Sequence, residues 1–181
     1  FANDILQKMV LTGRKEEIDQ ILKKIPVNPM LHKAYRNRGD LQFTDMGKTW
    51  GFDQPSFANG AAYADLDNDG DLDLVINNEN GPACIYKNNA RELNKNNYIS
   101  IQLKGKGDNN FAIGSKIRLY GDGRLFYREL VPSRGFQSCM DYTETIGLGS
   151  LSHIDSLVIT WPDRSMTKKI SNQRVWITLR L

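Results

Sequence analysis

Hydrophobic positions change their spacing part-way along this chain of 181 residues. Near the start, Ile18, Ile21, Leu22 and Ile25 recur at i, i+3, i+4 and i+7, the spacing of one buried helix face. Ahead of them Ile5, Leu6, Met9 and Val10 make an apolar side that Asn3 or Asp4 can cap. Gly13 separates the two stretches, and Pro26 and Pro29 end the second. The pattern predicts a helical hairpin as the first segment, residues 1–32.

From Lys33 the texture becomes short apolar runs divided by Gly, Asn and Asp. His32–Asn37 and Leu41–Asp45 read as strands joined at Gly39-Asp40, and Ala61–Ala64 and Leu72–Ile76 as a second pair. Ala83–Lys87 follows as another strand, completing a β unit over residues 33–90. The polar run at 91–97 reads as a boundary. Beyond it Tyr98–Leu103, Lys116–Tyr120, Leu125–Val131, Thr143–Ile146, Ile154–Trp161, Met166–Ile170 and Val175–Leu181 are strands at short, regular spacing. That rhythm predicts an antiparallel β-sandwich or small barrel over 91–181. The chain is thus expected to be mainly β.

Charge narrows the partners. The net charge is +3 with basic residues scattered, so no stripe suits a nucleic acid. No apolar run has the length of a membrane span. The chain opens on Phe1 rather than Met, which suggests a processed start or a fragment of something longer. Cys84 and Cys139 are isolated. Buried free thiols are the default reading, and pairing between them stays open.

The candidate chemistry sits at Ala64–Ile76. Asp65, Asp67, Asp69, Asp71 and Asp73 occupy every second position, with Gly70 in their midst. At an effective dielectric of 20, two like charges about 4 Å apart repel by roughly 4 kcal/mol. Such crowding suits either full solvation or a cation. Ca2+ accepts six to eight hard oxygens in loose geometry, and aspartates at alternate positions of a tight loop provide them. Gly70 permits the sharp turn. An EF-hand is excluded, because its twelfth position calls for Glu and here holds Ile76, and because the flanks are strand formers. The expected ring closes early at Asp73, with the Asp71 backbone carbonyl contributing. The loop reads as a calcium site within a β-hairpin.

Catalytic signals are few. His32 and His153 stand without obvious partners, and neither a nucleophile elbow nor metal-spaced histidines or cysteines appear. Asp141 and Glu144 could form a carboxylate pair in principle. Arg38-Gly39-Asp40 is explained by a hairpin turn. Trp50, Phe52, Phe57, Tyr63, Tyr120, Phe126, Tyr127 and Phe136 could stack on sugars, but in a small β protein they are expected in the core. The chain is read as not an enzyme.

Two family resemblances meet in these segments. Tyr35-Arg36-Asn37, the run Gly39–Asp45, Asn59–Leu74 and Ile85–Asn89 resemble VCBS/FG-GAP repeats, the calcium-binding blades of β-propellers. That resemblance implies Ca2+ on Asp65, Asp67, Asp69, Asp71 and Asp73. From Asn97 onward, Asn97-Tyr98-Ile99, Leu103-Lys104-Gly105, Asn110, Ile113–Ile117, Gly147-Leu148-Gly149 and Val158–Pro162 resemble the ASPIC/UnbV domain. Arg164 departs from the glycine that usually follows its Trp-Pro turn. Together the resemblances imply an extracytoplasmic protein (surface, periplasmic or secreted) and no particular reaction.

Only one complete calcium unit is visible, whereas a propeller needs several blades. The chain is therefore expected to be the C-terminal part of a longer protein, with upstream blades as partners of its partial blade. The expected role is a non-catalytic calcium-binding module that recognises a glycan or protein. A structural cap with no ligand of its own is the second reading, and a carbohydrate-active enzyme the third.

Overall fold

The structure is a computed structural model and describes Gln7, Val10, Leu11, Gly13, residues 28–170 and residues 178–180. The expected helical hairpin lies almost wholly outside the described residues; Gln7, Val10 and Leu11 are helical. The chain divides into two compact units, residues 1–57 and 58–181.

In the first unit β1 (Tyr35–Gly39) and β2 (Gln42–Asp45) form an antiparallel hairpin. The connection falls one residue later than the sequence suggests. Gly39 pairs with Gln42, leaving Asp40 and Leu41 as a two-residue turn with φ of 50° and 60°. Two consecutive left-handed residues match the right-handed twist of the flanking strands, which is why such turns close hairpins. The Gly39 N–H also donates to Asn37 Oδ1. Asp45 ties the adjoining loop, accepting from Lys33 Nζ at 2.6 Å and from the Gly47 N–H at 2.9 Å.

The second unit begins with a three-stranded antiparallel sheet, β3 (Ala58–Ala64), β4 (Asp73–Asn78) and β5 (Cys84–Tyr86), in that spatial order. The polar run expected as a boundary folds into a short helix, α1 (Ala90–Asn94). Asn88 Oδ1 accepts the Ala90 N–H at its start, and Lys95 ends it in the left-handed region.

Two further sheets follow. One holds β11 (Met166–Ile170), β10 (Ser156–Thr160), β7 (Lys116–Gly121) and β8 (Arg124–Glu129) in that order. The other holds β12 (Thr178–Arg180), β6 (Asn97–Gln102) and β9 (Thr143–Gly149). Among the described residues all pairings in these two sheets are antiparallel except β12 with β6, which is parallel. Strand alternation sends Ile99, Ile101, Ile146 and Leu148 of one sheet, and Ile117, Leu119, Leu157 and Ile159 of the other, into one aliphatic core.

That core leaves little room for rings. Trp50, Phe57, Tyr63, Tyr120, Tyr127 and Phe136 are exposed, and only Phe126 of the eight candidate aromatics packs against the cluster. The expectation of aromatic core is overturned for these six, and in the sandwich the reason is that Ile and Leu fill the inward registers. Tyr120 and Tyr127 fall on outward positions, the latter opposite Arg118, whose guanidinium lies 5.5 Å from its ring centroid. Both cysteines are free; Cys84 is half-buried, while Cys139 is exposed rather than buried.

Candidate metal centre

The acidic loop joins β3 to β4, whose register runs from Ala64 opposite Asp73 to Ala58 opposite Asn78. It therefore sits at the end of a hairpin, as its strand-forming flanks predicted. Gly70 has φ +92°, and a Cβ placed there would lie 2.1 Å from Cε1 of Tyr98. Glycine is needed twice over: for the backbone angle and for the ring laid against it.

Asp65, Asp67 and Asp69 come together. One carboxylate oxygen from each lies within 4.8 Å of the other two. Asp65 Oδ2 accepts the Gly70 N–H at 3.0 Å, whereas its Oδ1 is buried with no hydrogen-bond partner among the described residues. Burial accordingly pushes the Asp65 carboxyl above its ordinary pKa. Asp67 is held below its ordinary pKa, chiefly by a hydrogen bond from Lys87, whose Nζ stands 2.7 Å from Asp67 Oδ2 and 3.6 Å from Asp69 Oδ2.

The other two predicted ligands are engaged with backbone. Asp71 Oδ2 accepts the Arg91 N–H. Asp73, only 3% exposed, accepts the Leu66 N–H on Oδ2 at 3.1 Å and the Asn88 N–H on Oδ1 at 2.8 Å. Asp73 thus closes the loop upon itself and fastens it to the chain after β5. A carboxylate oxygen has a second lone pair, so these bonds leave both residues with donor capacity toward a metal.

The donor set suits calcium. It is built of hard carboxylate oxygens at close range, and Asp65 brings a buried oxygen that has no hydrogen-bond partner among the described residues. Asp65, Asp67 and Asp69 would hold the ion, which would supply the positive charge that their proximity calls for.

Residues 32–76 match the FG-GAP-like repeat, and residues 105–181 match the family described as ASPIC and UnbV. The chain carries an FG-GAP-like repeat followed by an ASPIC/UnbV domain. The repeat contains the whole acidic loop. The chain is also similar to cartilage acidic protein 1 of Homo sapiens, 31% identical over 85 residues that make up 46% of this chain and 12% of that protein. Cartilage acidic protein 1 of Xenopus tropicalis is 26% identical over 160 residues, 86% of this chain and 21% of its own length. The chain therefore spans about a fifth or less of these relatives.

Residues beyond the matched repeat also shape the loop. Arg91 Nη1 donates to the Asp69 carbonyl, and its guanidinium lies 4.8 Å from the Tyr98 ring centroid, on the ring that Gly70 abuts. Lys87, Asn88, Arg91 and Tyr98 were invisible as site residues in the sequence. The Ile85–Asn89 motif covered Lys87 and Asn88 and the Asn97-Tyr98-Ile99 motif covered Tyr98, but neither tied them to the acidic loop.

Proposed function

We propose that this chain is a non-catalytic, calcium-stabilised recognition module of an extracytoplasmic protein, directed at a glycan or protein ligand. The observation that carries the reading is the Asp65, Asp67 and Asp69 cluster with its partnerless buried oxygen. A cation there removes the mutual repulsion and fixes the turn between β3 and β4. The FG-GAP-like match supports calcium in particular, and the similarity to proteins named for cartilage supports a place outside the cytoplasm. Upstream blades of a longer chain would be the partners of the small β3–β5 sheet.

A structural cap is the second reading, favoured by two hydrogen bonds. The Ala61 N–H donates to Ser138 Oγ at 3.2 Å and the Tyr63 N–H to Met140 Sδ at 3.2 Å, so the segment before β9 covers part of the outer edge of β3. A glycan array with calcium or EGTA separates the readings: calcium-dependent hits support recognition, and their absence supports the cap. Thermal melting with calcium or EGTA tests the metal itself. Equal melting temperatures would remove the calcium basis of both.

A further inference from the structure

The two sheets of the sandwich each end in an edge strand among the described residues, β8 in one and β9 in the other. Beside these edges runs a half-enclosed cleft of about 440 Å3, within the size range of small-molecule sites. Its lining holds Arg128, Arg134, Asp141 and Glu144, two acids and two bases, so its charges balance.

Registers make the placement of two of these residues unusual. Glu144 pairs directly with Ile101, a fully buried core residue, and directly opposed residues share a face of the sheet. Arg128 pairs in the same way with the fully buried Ile117. Both residues thus take core-facing registers of opposite sheets, but only Glu144 is half-buried there; Arg128, on the edge strand β8, stays exposed. An aliphatic side chain would satisfy the Glu144 position at lower cost. The Glu144 carboxylate has no hydrogen bond or ion pair among the described residues, although Arg134 and Arg128 are near enough for their charges to act on it. Burial outweighs them and pushes its carboxyl above the ordinary pKa. Arg134 spends two donors on the Val131 and Glu129 carbonyls, and Arg128 one on the Tyr127 carbonyl, so both guanidinium groups keep donors to spare.

We infer that this cleft is a binding site for a neutral saccharide. Carboxylates only accept and guanidinium groups only donate, while a sugar hydroxyl does both, so vicinal hydroxyls can bridge the two kinds of group. The balanced charge gives no preference to a net anion or cation. Tyr63 and Met140 add an aromatic and an apolar surface for the C–H face of a pyranose.

The cleft also touches the metal loop. Ala64 and Leu72, which flank the acidic turn, line it. Calcium that fixes the turn would fix this wall, so the calcium dependence of binding (and only that) rests on the function proposed above.

The test is saturation-transfer NMR and calorimetry on the whole chain with maltose, cellobiose, lactose and mannobiose, in calcium and in EGTA, with glycine as a zwitterionic control. At least one disaccharide should bind and glycine should not. Glu144→Ala and Arg128→Gln should each weaken binding by about tenfold or more, as loss of a charge-assisted hydrogen bond does. Glu144→Ala deletes a partnerless charge, so its melting temperature should hold or rise, and lost binding cannot then be blamed on unfolding. Silence from all four sugars, binding of glycine in their place, or binding indifferent to both substitutions would overturn the assignment. Sugar binding that persists in EGTA would keep the cleft and remove the calcium-dependent reading. Calcium stabilisation without any sugar signal would do the reverse.

Discussion

Lys87 Nζ lies 2.7 Å from Asp67 Oδ2, on the carboxylate that a metal in the acidic loop would also use. Glu92 Oε1 stands 3.6 Å from the same ammonium. The interaction raises the Lys87 pKa above its ordinary value, so the side chain is charged throughout the physiological range. An ammonium and a divalent cation near the same oxygens repel each other. Lys87→Met should therefore tighten calcium binding, by roughly threefold to tenfold for partly screened charges at this range. Calorimetric titration with CaCl2 reads the change. Equal or weaker affinity in the variant would show that the ammonium does not oppose the metal.

Gly70 and Tyr98 make a second pair that sequence spacing could not reveal. Gly70→Ala forces a Cβ into the Tyr98 ring and places alanine at φ +92°. The expected loss is about 2 kcal/mol or more, from overpacking together with backbone strain. Combining it with Tyr98→Ala should recover the steric part and leave the backbone part. Denaturant melts of the single and double variants measure both. Additive losses would mean that the ring is not the obstacle.

The local half of this site was legible and the distant half was not. Five aspartates at alternate positions with a central glycine give a turn and a hard-oxygen donor set from spacing alone. Asn88 and Arg91, which fasten the loop through Asp73, Asp71 and Asp69, lie on chain segments that only the folded sheet brings near. The strands of the sandwich were readable because Ile and Leu alternate through them, as in Ile117 and Leu119. Glu144 shows the limit: its polarity says surface, and only its register opposite Ile101 places it on the inner face.

That register sets a pH dependence. Burial raises the Glu144 pKa in the folded chain, so the folded state binds more protons than the unfolded state between the ordinary and the raised value. Stability should therefore fall as pH rises through that window, and the ionised carboxylate should cost stability above it. Glu144→Gln removes the cost. The variant should melt higher than the parent at neutral pH, and the gap should close as pH falls below the ordinary carboxylate range. A gap that stays constant with pH would mean that titration of Glu144 is not its source.

Asp65 and Asp73 look equivalent in the sequence, yet their surroundings predict opposite behaviour in the absence of metal. Asp65 Oδ1 is buried and has no partner among the described residues, so its charge is a burden until a cation arrives. Asp73 is almost fully buried, but both of its oxygens accept backbone N–H groups. In EGTA, Asp65→Asn should leave the melting temperature unchanged or raise it, because a half-buried charge disappears. Asp73→Asn should lower it by about 1–3 kcal/mol in free energy, since its amide nitrogen would face a backbone donor where an acceptor is needed. With millimolar calcium the parent should gain about 2.7 kcal/mol once the ion is a hundredfold above its Kd. Asp65→Asn should forfeit most of that gain. Melts of the three proteins in both buffers decide the matter: equal losses for the two variants in EGTA would refute the separation of a metal-facing aspartate from a loop-fastening one.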